Sequence, residues 1–158
     1  MKNYFMKYHL FVSCLILLAV TGCGKEEQGC MPVSPQAEEA QIKEYTTANG
    51  IDATKHSSGI YYNIVDSGSG IKPTVSSTVY VTYLGKFLDG RGFDSSKTTI
   101  GFPLQKVIEG WQIGIPLIKK GGKIRLIIPS SYAYGCNGRD GIPPNSVLYF
   151  DIELVDVQ

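Results

Sequence analysis

From Gly59 to the end of the chain the apolar runs repeat every second residue, and only the stretch between Pro103 and Pro116 has room to be helical. That imbalance constrains the fold more than any other feature. Successive side chains on a strand point to opposite faces, so a period of two predicts strands with one face buried. Ile60 to Val65 is one such run, closed by Ser67-Gly68-Ser69-Gly70. Thr78 to Leu88 is longer, rich in β-branched and aromatic residues, and turned into a hairpin by Asp89-Gly90. Lys123 to Ile128 alternates and then becomes continuously apolar, as a strand buried on both faces does. Ser146 to Val157 sets Leu148, Phe150, Ile152 and Leu154 on one face. The helical stretch carries Trp111, the chain's one tryptophan. Strands in this number share a core with one short helix if the sheet wraps round it. The expected fold is therefore α+β, a curved antiparallel half-barrel sheet around one short helix, assigned to residues 59–158.

A second, separate helix is expected upstream. Ser34-Pro35 reads as an N-cap followed by proline at the first helical position, Glu38 and Glu39 sit near the positive end, and Asn49-Gly50 stops the run. A helix of about 14 residues is marginal unless it docks. Asp52 to Ser58 reads as a polar connection.

The N-terminus has its own pattern. Lys2 and Lys7 precede an apolar run from Leu10 to Val20, and no acid occurs before Glu26. That run falls short of the roughly 20 residues that cross a bilayer, and its basic start and small-residue end predict an export signal over residues 1–22. Val20-Thr21-Gly22-Cys23 resembles the bacterial lipobox, which implies cleavage before Cys23 and lipid attachment to it. Residues 23–58 then comprise the lipid anchor, a flexible spacer from Gly24 to Val33, and the short helix. The implied location is the cell envelope, at the outer membrane on its periplasmic or surface face. Export permits a disulfide, but Cys30 and Cys136 stand far apart in sequence, and the expectation for Cys136 is a free thiol.

Composition narrows the chemistry. Fifteen basic against 14 acidic residues leave no positive field for nucleic acid. Two histidines, one of them His9 in the leader, exclude a site built on several imidazoles, and no metal-ligand spacing occurs. Neither metal nor cofactor is expected, and no feature calls for an oligomer, so a monomer is the expectation.

Eight ordered markers then appear: Val79-Tyr80-Val81-Thr82-Tyr83-Leu84-Gly85; Asp89-Gly90; Phe93-Asp94-Ser95-Ser96; Val107-Ile108-Glu109-Gly110-Trp111; Ile128-Pro129; Tyr132-Ala133-Tyr134-Gly135; Gly141-Ile142-Pro143-Pro144-Asn145; and Leu148-Tyr149-Phe150-Asp151. With them the chain resembles the FKBP-type peptidyl-prolyl isomerases, which bind proline-containing polypeptides and macrolide immunosuppressants. The resemblance implies catalysis of X-Pro rotation in exported proteins, with a non-catalytic proline-binding or chaperone module of the envelope as the alternative. It implies Trp111 as the floor of the substrate pocket and Tyr83, Phe93 and Phe150 as its sides. Val107 and Ile108 would form the rim, with the Ile108 N–H bonding a substrate carbonyl. Tyr134 would offer its hydroxyl to the twisting amide, Asp94 would lie beside that amide, Ile100 would supply the remaining wall, and Ile142 would close the far edge.

Some positions depart from the family. The arginine usual after Asp94 is missing, and Lys97 has a different geometry. Ile100 stands where an aromatic is usual, Arg139 where a histidine is common, and one of two successive aliphatic residues is gone, leaving Ile142.

Overall fold

A computed structural model describes residues 29–158. The signal peptide expected over residues 1–22, the lipidation expected at Cys23 and the first part of the expected spacer lie outside the described residues. In chain order the elements are α1 (Glu39–Ala48), β1 (Thr54–Lys55), β2 (Tyr61–Asp66), β3 (Thr78–Phe87), β4 (Gly92–Pro103), α2 (Glu109–Gly114), β5 (Lys123–Ile128) and β6 (Leu148–Val157). Among the described residues no helix is long and apolar enough to cross a membrane.

All six strands form one sheet in the order β1-β2-β5-β6-β3-β4, every pairing antiparallel. The register sets Ile124 opposite Ile152 and Leu126 opposite Phe150 on one face, and Ile127 opposite Tyr149 on the other. That alternation is the one read from the sequence. The Asp52–Ser58 connection contains a strand after all, with Thr54 and Lys55 paired to Tyr62 and Tyr61.

The half-barrel is not formed. The sheet is open, with β1 and β4 as its two edges and no pairing between them, and it does not curl around α2. The way its two faces are covered explains this. On one face Trp111, Ile115 and Ile118 pack with Leu126, Ile128, Phe150, Ile152 and Leu154. On the other, Ile42 of α1 packs with Tyr61, Ile127, Val147 and Tyr149. A helix on each side buries the apolar residues of both faces without any wrapping.

Two glycines set the depth of α2. A Cβ on Gly110 would overlap the Ile128 side chain, and one on Gly114 would lie 2.5 Å from Leu126 Cδ1. The bare side of the helix therefore rests on the sheet, and Trp111 beside it enters the core.

α1 is fastened by polar contacts as well. Glu39 receives Lys43 and Lys55, each at 2.7 Å, and the Tyr61 hydroxyl at 3.0 Å. Glu38, only 2% exposed, accepts the Ser130 N–H at 2.8 Å. The start of the helix is thus tied to the segment that leads into Tyr134.

Cys136 is not free. It forms a disulfide with Cys30, and Met31 beside it accepts the Asn145 side-chain amide at 3.4 Å. A separation of 106 residues in sequence hid a pair that the fold brings together.

Candidate active site

The site begins at α2. Val107 leaves the preceding turn in extended conformation, and Ile108 caps the helix with φ −57° and ψ 148°. The Ile108 carbonyl accepts the Trp111 and Gln112 N–H groups at 3.0 and 3.3 Å, while its own N–H lies ahead of the helical ladder. Val107 and Ile108 are half-buried against the core.

Trp111 is surrounded by ring edges. Its ring centroid lies 5.2 Å from Tyr83, 5.3 Å from Phe150 and 5.9 Å from Phe102, all nearly perpendicular. Phe93 meets Phe150 edge-on at 5.5 Å. Such T-shaped pairs set the positive edge of one ring against the negative face of another. Gly85 makes the arrangement possible, because a Cβ there would lie 2.7 Å from Phe93 and 3.0 Å from Phe150. The indole is 4% exposed, and its N–H has no hydrogen-bond partner among the described residues. The floor is thus nearly covered, while Tyr83, Phe93, Phe102 and Tyr134 around it stay half-buried.

Two polar pairs stand beside the rings. The Tyr83 hydroxyl donates to the Asp94 carboxylate at 2.8 Å. Burial, and then this bond to a carboxylate, push the Tyr83 pKa up to about 12. On the loop after β5, Arg139 donates to the Tyr134 hydroxyl at 3.2 Å, with its guanidinium 5.5 Å from the ring centroid.

Of the residues expected at the site, Tyr83, Phe93, Trp111 and Phe150 form one cluster, and Tyr134, Val107, Ile108 and Ile142 pack on the same core. Ile142 is 7% exposed and exchanges two backbone hydrogen bonds with Arg139, at 2.7 and 2.9 Å. An open cleft of about 570 Å³ adjoins it, bounded by Arg139 and Pro143-Pro144. Ile100 is not brought into the cluster and remains 41% exposed on the edge strand. The ring that does reach the indole from β4 is Phe102, which sequence reasoning passed over. Its signal was its place opposite the core residue Val79, which becomes visible once β4 is recognised as a strand.

Comparison with known proteins follows the same lines. The family model for FKBP-type peptidyl-prolyl cis-trans isomerase matches residues 69–155. The FKBP-type isomerase FkpA of Escherichia coli (strain K12) is 47% identical over 125 residues, covering 76% of this chain and 46% of that protein. The chain therefore spans about half the length of the curated relatives it matches. The crystal structure of Escherichia coli FkpA superposes with a TM-score of 0.70 at 44% identity, covering 78% of this chain and 61% of that one. A peptidyl-prolyl cis-trans isomerase structure from Pseudomonas syringae pv. tomato superposes at 0.68 with 32% identity, covering 81% of this chain and 98% of that one. The chain belongs to the FKBP-type peptidyl-prolyl cis-trans isomerase family.

Proposed function

We propose that the chain catalyses cis-trans rotation of X-Pro bonds in exported proteins, as a monomer held in the cell envelope by lipid on Cys23 after removal of residues 1–22. The observation that supports this most is the ring cluster on Trp111, bordered by the Tyr134 hydroxyl and the Tyr83–Asp94 pair. Its functional unit is the domain from Gly59 onward.

The reaction needs no nucleophile and no cofactor. An X-Pro bond rotates over a barrier of about 20 kcal/mol and isomerises unaided over tens to hundreds of seconds. In the twisted state the amide loses its resonance and becomes less polar. An aromatic, water-poor setting favours that state, because water solvates the planar amide better. On this reading the proline ring packs over Trp111 between Tyr83, Phe93, Phe102 and Phe150. The Ile108 N–H holds one flanking carbonyl, and the Tyr134 hydroxyl donates to the other while the bond turns. Asp94, engaged by Tyr83, stands beside the amide; Val107 and Ile142 line the rim. Ile100 takes an outer position against the flanking peptide. A ten-thousandfold acceleration asks for about 5.5 kcal/mol of preferential binding. Hydrogen bonds and desolvation supply that without a proton transfer.

The alternative is a proline-binding or chaperone module that holds but does not turn its client; the 4% exposure of the indole bears on both alike, since either client must displace part of its cover. The two readings separate in a protease-coupled assay of an X-Pro tetrapeptide with the chain from Gly24 onward. Catalysis predicts acceleration that Tyr134→Phe and Phe93→Ala each lower about tenfold or more, and competition by a macrolide of the class that binds this family. Binding without acceleration decides for the module.

A further inference from the structure

Arg139 stands in a position that the isomerase reading leaves without a role. Its guanidinium both donates to the Tyr134 hydroxyl, at 3.2 Å, and lies 5.5 Å from the centre of the same ring. Its backbone is held by the two hydrogen bonds exchanged with Ile142, and the disulfide at Cys136 anchors the same loop. The side chain itself is exposed, so burial does not account for its place. The Tyr134 hydroxyl and, at longer range, Asp94 and Asp140 hold the guanidinium more firmly in its charged form.

A phenol oxygen that accepts from a cation has its own proton left to give, and that proton is polarised by the neighbouring charge. From this geometry we infer that Arg139 is a positioning residue: it clamps the Tyr134 ring and turns the hydroxyl into a directed donor toward the substrate carbonyl. The inference rests on the isomerase reading. It also supplies, from a different loop, the guanidinium that this chain lacks after Asp94.

The test is a double-mutant cycle in the full chain, measured as kcat/KM on X-Pro peptides with a neutral, an acidic and a basic residue before proline. Arg139→Ala is expected to lower kcat/KM about fivefold on all three peptides, through kcat more than KM, with an unchanged melting temperature. In a Tyr134→Phe background the same change is expected to cost less than about twofold, because no hydroxyl remains to be directed. Arg139→Lys, which donates but stacks poorly, is expected to recover part of the loss. Equal losses with and without the Tyr134 hydroxyl, or no loss at all, overturn the inference. So does a loss confined to the acidic peptide, since the guanidinium then acts on the substrate directly. An unsubstituted chain that accelerates no peptide defeats the isomerase reading itself, and is told apart from these outcomes by that first measurement.

Discussion

Tyr83 on β3 reaches its neighbour strand and donates to Asp94 at 2.8 Å, so the aspartate is engaged by a neutral hydroxyl where an arginine is usual in the family. A tyrosine whose pKa is higher in the folded state favours the fold as long as it stays protonated. Stability from Tyr83 is therefore complete below its ordinary value of 10.0 and declines as pH climbs toward about 12. Tyr149, raised to about 12 chiefly by burial and then by Asp151, adds to the same decline. Urea denaturation between pH 9 and about 12 is expected to show this loss, and Tyr83→Phe to flatten part of it. A profile unaltered by the substitution would remove Tyr83 as the cause.

The acid side depends on α1. Glu39 is held at about 2, below its ordinary 4.5, first by Lys43, then by Lys55 and the Tyr61 hydroxyl. A depressed carboxylate stabilises above its unfolded value, and the benefit disappears as pH falls from 4.5 toward about 2. Glu39→Gln is expected to lower the melting temperature at neutral pH, where the benefit is complete, and to change little near pH 2, so that the acid-induced shift shrinks. Because the carboxylate is solvated, salt should weaken the effect.

Gly110 has no room for a side chain, since its added Cβ would overlap Ile128, which is fully buried. Gly110→Ala is expected to destabilise the fold by about 1–3 kcal/mol, the usual cost of overpacking. The denaturation midpoint should fall with the slope unchanged.

Trp111 is the one tryptophan, so its emission reports the site without interference. At 4% exposure the indole should emit at short wavelength in the free protein. A bound proline peptide that rests on the ring must displace part of its cover, so titration is expected to change the intensity saturably. Phe93→Ala should weaken that change.

Reducing the Cys30–Cys136 bond opens a link that spans 106 residues of sequence. Dithiothreitol or Cys136→Ser is expected to cost about 2–4 kcal/mol of stability. Activity should fall as well, because Cys136 lies two positions from Tyr134 and its loop also carries Arg139. Equal midpoints in oxidised and reduced protein would show that the bond does not contribute.

Where a local pattern decides structure, the sequence was readable. Lys123 to Ile128 became β5 residue for residue, and the bracket of Pro103 and Pro116 enclosed α2. The ring cluster was legible because Phe93, Trp111 and Phe150 sit inside ordered motifs. Phe102 was not, because Ser95 to Thr99 is polar and gives no period, and β3–β4 slips register between Val81 and Tyr83. The open sheet was hidden for a different reason. Its second face is covered by Ile42 of α1, a contact between segments whose separate patterns say nothing of each other. The disulfide likewise depends on where β5 delivers the loop, not on any spacing of cysteines.

The Cys30–Cys136 bond also fixes how far the domain can stray from whatever holds its N-terminus. On the proposed lipidation of Cys23, only six residues lie between the acylated position and the pinned one, a leash of seven chain steps that spans roughly 25 Å when taut. The proposed catalytic mouth then rides close above the bilayer that holds the anchor. Cutting the bond would let the leash run on to α1, lifting the domain and widening the zone that it patrols.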